Sequence, residues 1–145
     1  MNKIFIDSDV ILDLILIRQP FYKYSASLFT LIENKKIQAY TTPVIFSNLN
    51  YILTKLKNSK FALNSLKKLR SLIEISLLDL NTIDQALNSN PKDFENALQY
   101  FSCYNSQIKF LITRNKRDYP KNGIKILSAN EYLKMYKQKR SESDF

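Results

Sequence analysis

Asp7 and Asp9 stand two residues apart directly after a short apolar run, Lys3 to Ile6, and Arg114, Asn115 and Asp118 follow another such run, Lys109 to Thr113. Two further segments offer oxygen donors at helical spacing. Asp93 and Asn96 are three residues apart and so share one helical edge, and Asn48, three after Ile45 and four before Ile52, turns toward the core side. An amide on that side needs hydrogen-bond partners or a site to serve. The whole set consists of hard oxygen donors without histidine or cysteine, which suits Mg2+ or Mn2+. Phosphodiester hydrolysis is the chemistry that fits, because such an ion orients and deprotonates a water and shields charge on phosphate oxygens.

Each of these residues also has a plainer use. Asp7 sits where it can cap a helix, Asp9 in the first turn complements the helix dipole, and Asp93 can cap its own helix. Asn48 can be a satisfied buried amide, Asn96 an ordinary helix-surface residue, and Asn115 and Asp118 turn residues. Arg114 and Arg117 suit either a substrate phosphate or a solvated basic turn. Asp13 reads as an exposed helix residue.

The elements that must position these groups follow from hydrophobic period. Lys3 to Ile6 reads as a strand buried on both faces, followed by a helix through Val10 to Ile17 that Arg18, Gln19 and Pro20 break. A helix over Tyr22 to Glu33 turns Ala26, Phe29, Leu31 and Ile32 inward, and Ile37 to Thr41 is a second strand. Pro43 opens a third helix with Ile45, Leu49, Ile52, Leu53 and Leu56 on its apolar side, and a basic helix covers Phe61 to Leu72. Ile75 to Leu78 is a third strand, Asn81 or Thr82 caps a brief helix to Leu87, and a helix from Lys92 buries Phe94, Ala97, Leu98 and Phe101. Lys109 to Thr113 is the fourth strand, Asn122-Gly123 a turn, Lys125 to Leu127 a fifth strand, and Asn130 to Tyr136 a closing helix. Strands alternating with helices predict a three-layer α/β/α sandwich with a mainly parallel sheet of four to five strands. In such a sheet, polar residues past the carboxyl ends of the strands converge on one crevice.

Composition narrows the function classes. A chain of 145 residues with 45% hydrophobic content makes one cored domain, here residues 1–136, followed by a basic, frayed tail over 137–145. One glycine, Gly123, rules against a glycine-rich phosphate loop, and the absence of histidine removes His-based triads, a His general base and ordinary zinc sites. The lone Cys103 cannot form an internal disulfide, no apolar stretch approaches the roughly 20 residues that span a bilayer, and a cytoplasmic location is expected. The net charge of +9 favours polyanions such as RNA, with basic blocks at Lys55 to Arg70 and Lys134 to Arg140, although a lysine-rich composition alone would produce the same surplus.

The combination of Phe5-Ile-Asp-Ser-Asp-Val-Ile-Leu-Asp13, the helix containing Ser47-Asn-Leu-Asn-Tyr51, Asp93-Phe-Glu-Asn-Ala-Leu-Gln99 and Ile112-Thr-Arg-Asn-Lys-Arg-Asp118 resembles the PIN-domain family, including the toxin nucleases of toxin-antitoxin pairs. The resemblance runs from about residue 3 to 133. It implies an acidic crevice holding Mg2+ or Mn2+ and endonucleolytic cleavage of RNA. It also implies Asp7 as the first metal-ligating acid, Asp118 as the acid near the end of the site, and Asn115 as the polar residue beside it. Two positions depart from the family pattern. A glutamate is usual where Asn48 or Asn50 stands, and an aspartate where Asn96 stands, with Asp9, Asp93 or Glu95 available to compensate. An amide oxygen ligates a hard cation but brings no charge and is no general base. The resemblance further implies an antitoxin segment and a homodimer as partners. A PIN-like module that only binds RNA or protein is the alternative those asparagines raise. A haloacid-dehalogenase-type reading of Asp7-Ser-Asp9 lacks the Gly-Asp acidic motif that family needs.

Overall fold

The computed structural model describes residues 2–121 and 123–143, without the side chain of Ser143. Five strands, β1 (Asn2–Ile6), β2 (Ile37–Thr41), β3 (Glu74–Ile75), β4 (Phe110–Ile112) and β5 (Lys125–Leu127), form one sheet in the order β3-β2-β1-β4-β5. Every pairing is parallel, with Phe5 opposite both Tyr40 and Leu111, and Ile112 opposite Leu127. Among the described residues seven helices flank it: α1 (Ser8–Ile15), α2 (Tyr22–Glu33), α3 (Pro43–Leu56), α4 (Ser59–Leu72), α5 (Leu80–Asn88), α6 (Phe94–Asn105) and α7 (Ala129–Ser143). Right-handed crossovers from β1 to β2 and from β2 to β3 put α1 to α4 on one face. The return from β3 to β4 runs the other way across the sheet, so the same handedness puts α5 and α6 on the opposite face.

The central strands are apolar on both faces because both are covered: Ile4, Phe5, Ile6, Leu111 and Ile112 are fully buried. Ile45, Leu49 and Leu53 of α3 and Leu28, Phe29 and Ile32 of α2 close one side. Six helix starts among the described residues are fixed by side-chain oxygens, from Asp7, Thr42, Asn58, Asp79, Asp93 and Ser128, each accepting a backbone N–H of the first turn.

Several expected boundaries move. Helix α1 ends at Ile15, α4 begins at Ser59, and Asp79 rather than Asn81 or Thr82 caps α5. The third strand is Glu74–Ile75, earlier and shorter than Ile75 to Leu78. Leu28 and Ser25 take the inward face of α2, while Ala26 and Leu31 are half-buried; Leu56 and Phe94, expected in the core, are exposed. The closing helix continues well past Tyr136, through much of the stretch expected to fray. Asn122 of the expected turn lies outside the described residues, and Gly123 takes the left-handed φ of 82° that glycine adopts at little cost.

Candidate functional site

The sheet reverses its direction of growth between β1 and β4, and in open parallel sheets that switch point opens a crevice at the carboxyl ends of the strands. Asp7 leaves β1 there and Thr113 leaves β4. Their strands remain joined to the last residue, with the Asp7 N–H donating to the Ile112 carbonyl at 2.9 Å.

Asp7 is buried and held from several sides. Its Oδ1 accepts the Ser8 N–H at 2.7 Å and, more weakly at 3.4 Å, the Ser8 hydroxyl. Its Oδ2 accepts the Thr113 hydroxyl and the Tyr119 hydroxyl, each at 2.9 Å. Asp7 is therefore both the helix cap and the charged centre of the crevice. The Tyr119 hydroxyl also makes a short contact with Gln99 Oε1. Burial, then the Asp7 charge, push that phenol far up, so Tyr119 stays a protonated donor.

Asp9 faces the same crevice. Its Oδ2 accepts the backbone N–H of Arg114 at 3.0 Å and the Asn115 amide at 3.3 Å. Its Oδ1 is buried without a hydrogen-bond partner. Burial, then the neighbouring Asp7 charge, push the Asp9 carboxyl up to about 6. Thr113 locks the arrangement, since its hydroxyl donates to Asp7 and accepts the Asn115 N–H at 3.0 Å.

A third acid arrives from α6. Glu95, half-buried, accepts the Asn48 amide on Oε1 at 2.6 Å and the Gln99 amide on the same atom at 3.4 Å. Burial, then the Asp93 and Asp7 charges, raise its carboxyl, opposed by the Asn48 hydrogen bond. A continuous chain thus runs Asn48–Glu95–Gln99–Tyr119–Asp7–Thr113–Asn115, linking α3, α6 and the segment after β4.

Of the residues singled out in the sequence, the structure brings together Asp7, Asp9, Asn48 and Asn115. Asn96 is half-buried, and its backbone N–H donates to the capping carboxylate of Asp93 at 3.0 Å. Asp93 itself is an exposed N-cap whose charge reaches Glu95. Asp118 lies exposed on a short three-ten turn, Lys116–Asp118, and is not among the groups bonded to Asp7 or Asp9. The next residue, Tyr119, is the one that turns inward, which leaves Asp118 facing out. Asn50 is exposed and Arg117 lies exposed on the rim.

Arg114, expected at a substrate phosphate, is a strut instead. Its guanidinium binds Asp13 through two bonds, 2.9 and 3.1 Å, and lies 4.0 Å over the Phe21 ring. Asp13, expected to be exposed, is 1% exposed and also pairs with Arg18 at 3.1 Å. Gln99 and Tyr119 are the site residues that sequence reasoning missed. Gln99 had a usable signal, lying one turn after Glu95; Tyr119 had none, since its partner is more than a hundred residues away.

The donor set fits a hard divalent cation. The buried, unpartnered Asp9 Oδ1 beside a second carboxylate is an electrostatic cost that such a cation relieves. Among the described residues no three acids cluster closely enough to form a ready-made metal cage. Mg2+ is ordinarily held by one or two carboxylates with water and substrate phosphate completing the shell, so the Asp9 and Asp7 carboxylates are the groups that could hold such an ion here.

A family model described as PIN domain matches residues 3–117. The chain belongs to the PIN-domain family. It is 25% identical over 140 residues to Ribonuclease VapC1 of Aquifex aeolicus, covering 93% of this chain and 96% of that relative. Its fold is shared with DNA-bound VapBC from Salmonella typhimurium, at TM-score 0.68 and 16% identity over 89% of this chain and 99% of that one. It is shared too with Mycobacterium tuberculosis VapC20, described as a sarcin-ricin loop cleaving toxin, at TM-score 0.60 and 13% identity over 74% of this chain and 86% of that one. Membership of the family accounts for the parallel sheet and the crevice at its switch point. Asn48, one of the asparagines at which the sequence departs from the family pattern, is hydrogen-bonded to the neighbouring acid Glu95.

Proposed function

We propose that this protein is a Mg2+- or Mn2+-dependent endoribonuclease that cuts RNA in the Asp7–Asp9–Glu95 crevice, acting as the toxin of a toxin-antitoxin pair. The observation that carries the reading is the buried Asp9 Oδ1, unpartnered and beside Asp7 at the switch point. Family membership, the resemblance to a relative named as a ribonuclease, and the surplus of nine positive charges support it.

Asp9 and Asp7 would hold the cation, which supplies charge compensation for the phosphate and lowers the pKa of a bound water. The remaining work falls to the chain. The Arg114 N–H and Asn115 amide fix the Asp9 carboxylate, while Thr113 and the protonated Tyr119 fix Asp7, so neither has to reorganise as charge develops. Glu95 Oε1 is occupied by Asn48 and Gln99, which leaves Oε2 to accept the proton of the attacking water. Its raised pKa brings it nearer neutrality, where a general base works best. Arg117 on the rim steadies the substrate phosphate. An antitoxin partner is part of the same reading, supported by the VapBC complexes among the structural relatives, and a homodimer is the assembly this reading expects.

The test is cleavage of a pool of labelled RNAs with Mg2+, Mn2+ or EDTA, comparing the parent with Asp9→Asn. Metal-dependent cleavage that falls at least about a hundredfold in the variant is expected, the scale for losing a group that stabilises the transition state. Folded parent protein that cuts no RNA would instead favour a PIN-like module that only binds.

A further inference from the structure

Two clefts meet at Tyr24 and Asn130, which line both. The first, about 380 Å³, opens beside the crevice and is lined by Asn115 and Phe21. The second, about 520 Å³, continues between α2 and α7, where Lys23, Lys134, Lys137 and Arg140 line it with Tyr136. Together they make one groove leading from Asn115 outward into a field of cations. Among the described residues no acid lines the second cleft, and Asp13, on the first, is neutralised by Arg18 and Arg114. Lys23, Lys134 and Lys137 are exposed and have no carboxylate partner among the described residues; the Lys23 ammonium lies 5.0 Å over the Tyr24 ring.

Cations grouped on one groove without acids repel one another, and a polyanion lying along them relieves that repulsion. Aromatic rings interspersed among them favour a single strand over a generic polyanion, because unpaired bases have faces to stack and an acidic peptide does not. We propose that the α2–α7 groove holds the single-stranded RNA flanking the scissile phosphate, with Lys23, Lys134 and Lys137 on its backbone and Tyr24 and Tyr136 offered to its bases. The proposal rests on the endoribonuclease reading and adds that the substrate is unpaired over several nucleotides on the Asn115 side of the cut.

The experiment is fluorescence anisotropy in EDTA, so that nothing is cut, with labelled RNAs of about four and about twelve nucleotides. The parent is expected to bind the longer RNA at least about tenfold more tightly than the shorter. The double variant Lys134→Ala/Lys137→Ala is expected to lose that length dependence. The slope of log Kd against log salt should also fall by about 1.4, since each single-strand phosphate contact contributes roughly 0.7. Tyr24→Leu should weaken the longer RNA at least about fivefold, as loss of a stacking face requires. A double variant with the parent's affinity and salt slope would overturn the proposal. So would a polyglutamate peptide of equal length that competes as strongly as RNA, since the groove would then be a protein-binding surface. If the parent cuts no RNA with Mg2+ or Mn2+ yet keeps length-dependent binding that the variant loses, the endoribonuclease reading fails while the groove assignment stands.

Discussion

Burial and the Asp7 charge raise Asp9 from an ordinary 3.8 to about 6, so the folded state keeps that proton over a range where the unfolded chain has released it. Folding is therefore favoured by this group below about pH 4, and that contribution is lost as pH rises through about 6. Above pH 6 the ionised carboxylate, with its Oδ1 unpartnered, costs about 3 kcal/mol in the absence of metal. Asp9→Asn should accordingly raise the melting temperature by several degrees in EDTA at about pH 8, while abolishing cleavage. An unchanged or lower melting temperature would mean that the carboxylate is not a stored cost. Asp13, by contrast, has its charge compensated from two sides by Arg18 and Arg114. Asp13→Ala leaves Arg114 without its bidentate partner and should cost about 3 kcal/mol in urea denaturation. The close pair Asp7 and Asp9 was legible in the sequence because both follow one strand. Asp13, Arg114 and Tyr119 were not, because each finds its meaning in a partner brought from about a hundred residues away.

Among the elements, helix period carried most of the information. The bounds of α2, α3, β2 and β5 coincide with their hydrophobic patterns, helped by Pro43 at the first turn and by capping side chains. Strand β3 was placed too late, because two residues beside Thr41 carry little pattern of their own and are held by pairing with β2. The exposure of Phe94 follows from its position at the start of α6, where the helix has not yet turned its apolar edge to the sheet. Asn48 illustrates what element geometry adds: its neighbour Leu49 is fully buried and anchors α3, so Asn48 meets Glu95 across 47 residues of sequence. Leu49→Ala should cost about 3 kcal/mol as a core cavity and should lower cleavage further than that loss of folded protein accounts for, because it loosens the Asn48–Glu95 contact. Cleavage per folded molecule equal to the parent's would separate α3 packing from the site.

The molecule as a whole places an acidic crevice inside a strongly basic chain; in the proposed reading the long-range charge attracts RNA while the local excess of carboxylates attracts a cation. Overall fold class was readable from the alternation of strands and helices, and the switch-point crevice from the placement of polar residues after β1 and β4. Which acids share that crevice was not, since the choice among Asp9, Asp93, Glu95 and Asp118 depends on side-chain direction at helix starts and in a three-ten turn. Cys103, buried with its thiol donating to the Ile108 carbonyl, has its pKa pushed up by burial and takes no part in the site. No helix among the described residues is long and apolar enough to cross a membrane. The measurement that bears most directly on the crevice as a metal site is a Mn2+ titration followed by electron paramagnetic resonance, on the parent and on Asp9→Asn. Saturable binding is predicted for the parent at about pH 7.5, weakened at about pH 5 where Asp9 holds its proton, and weakened at least about tenfold in the variant. Equal binding by the two proteins, or none by the folded parent, would contradict it.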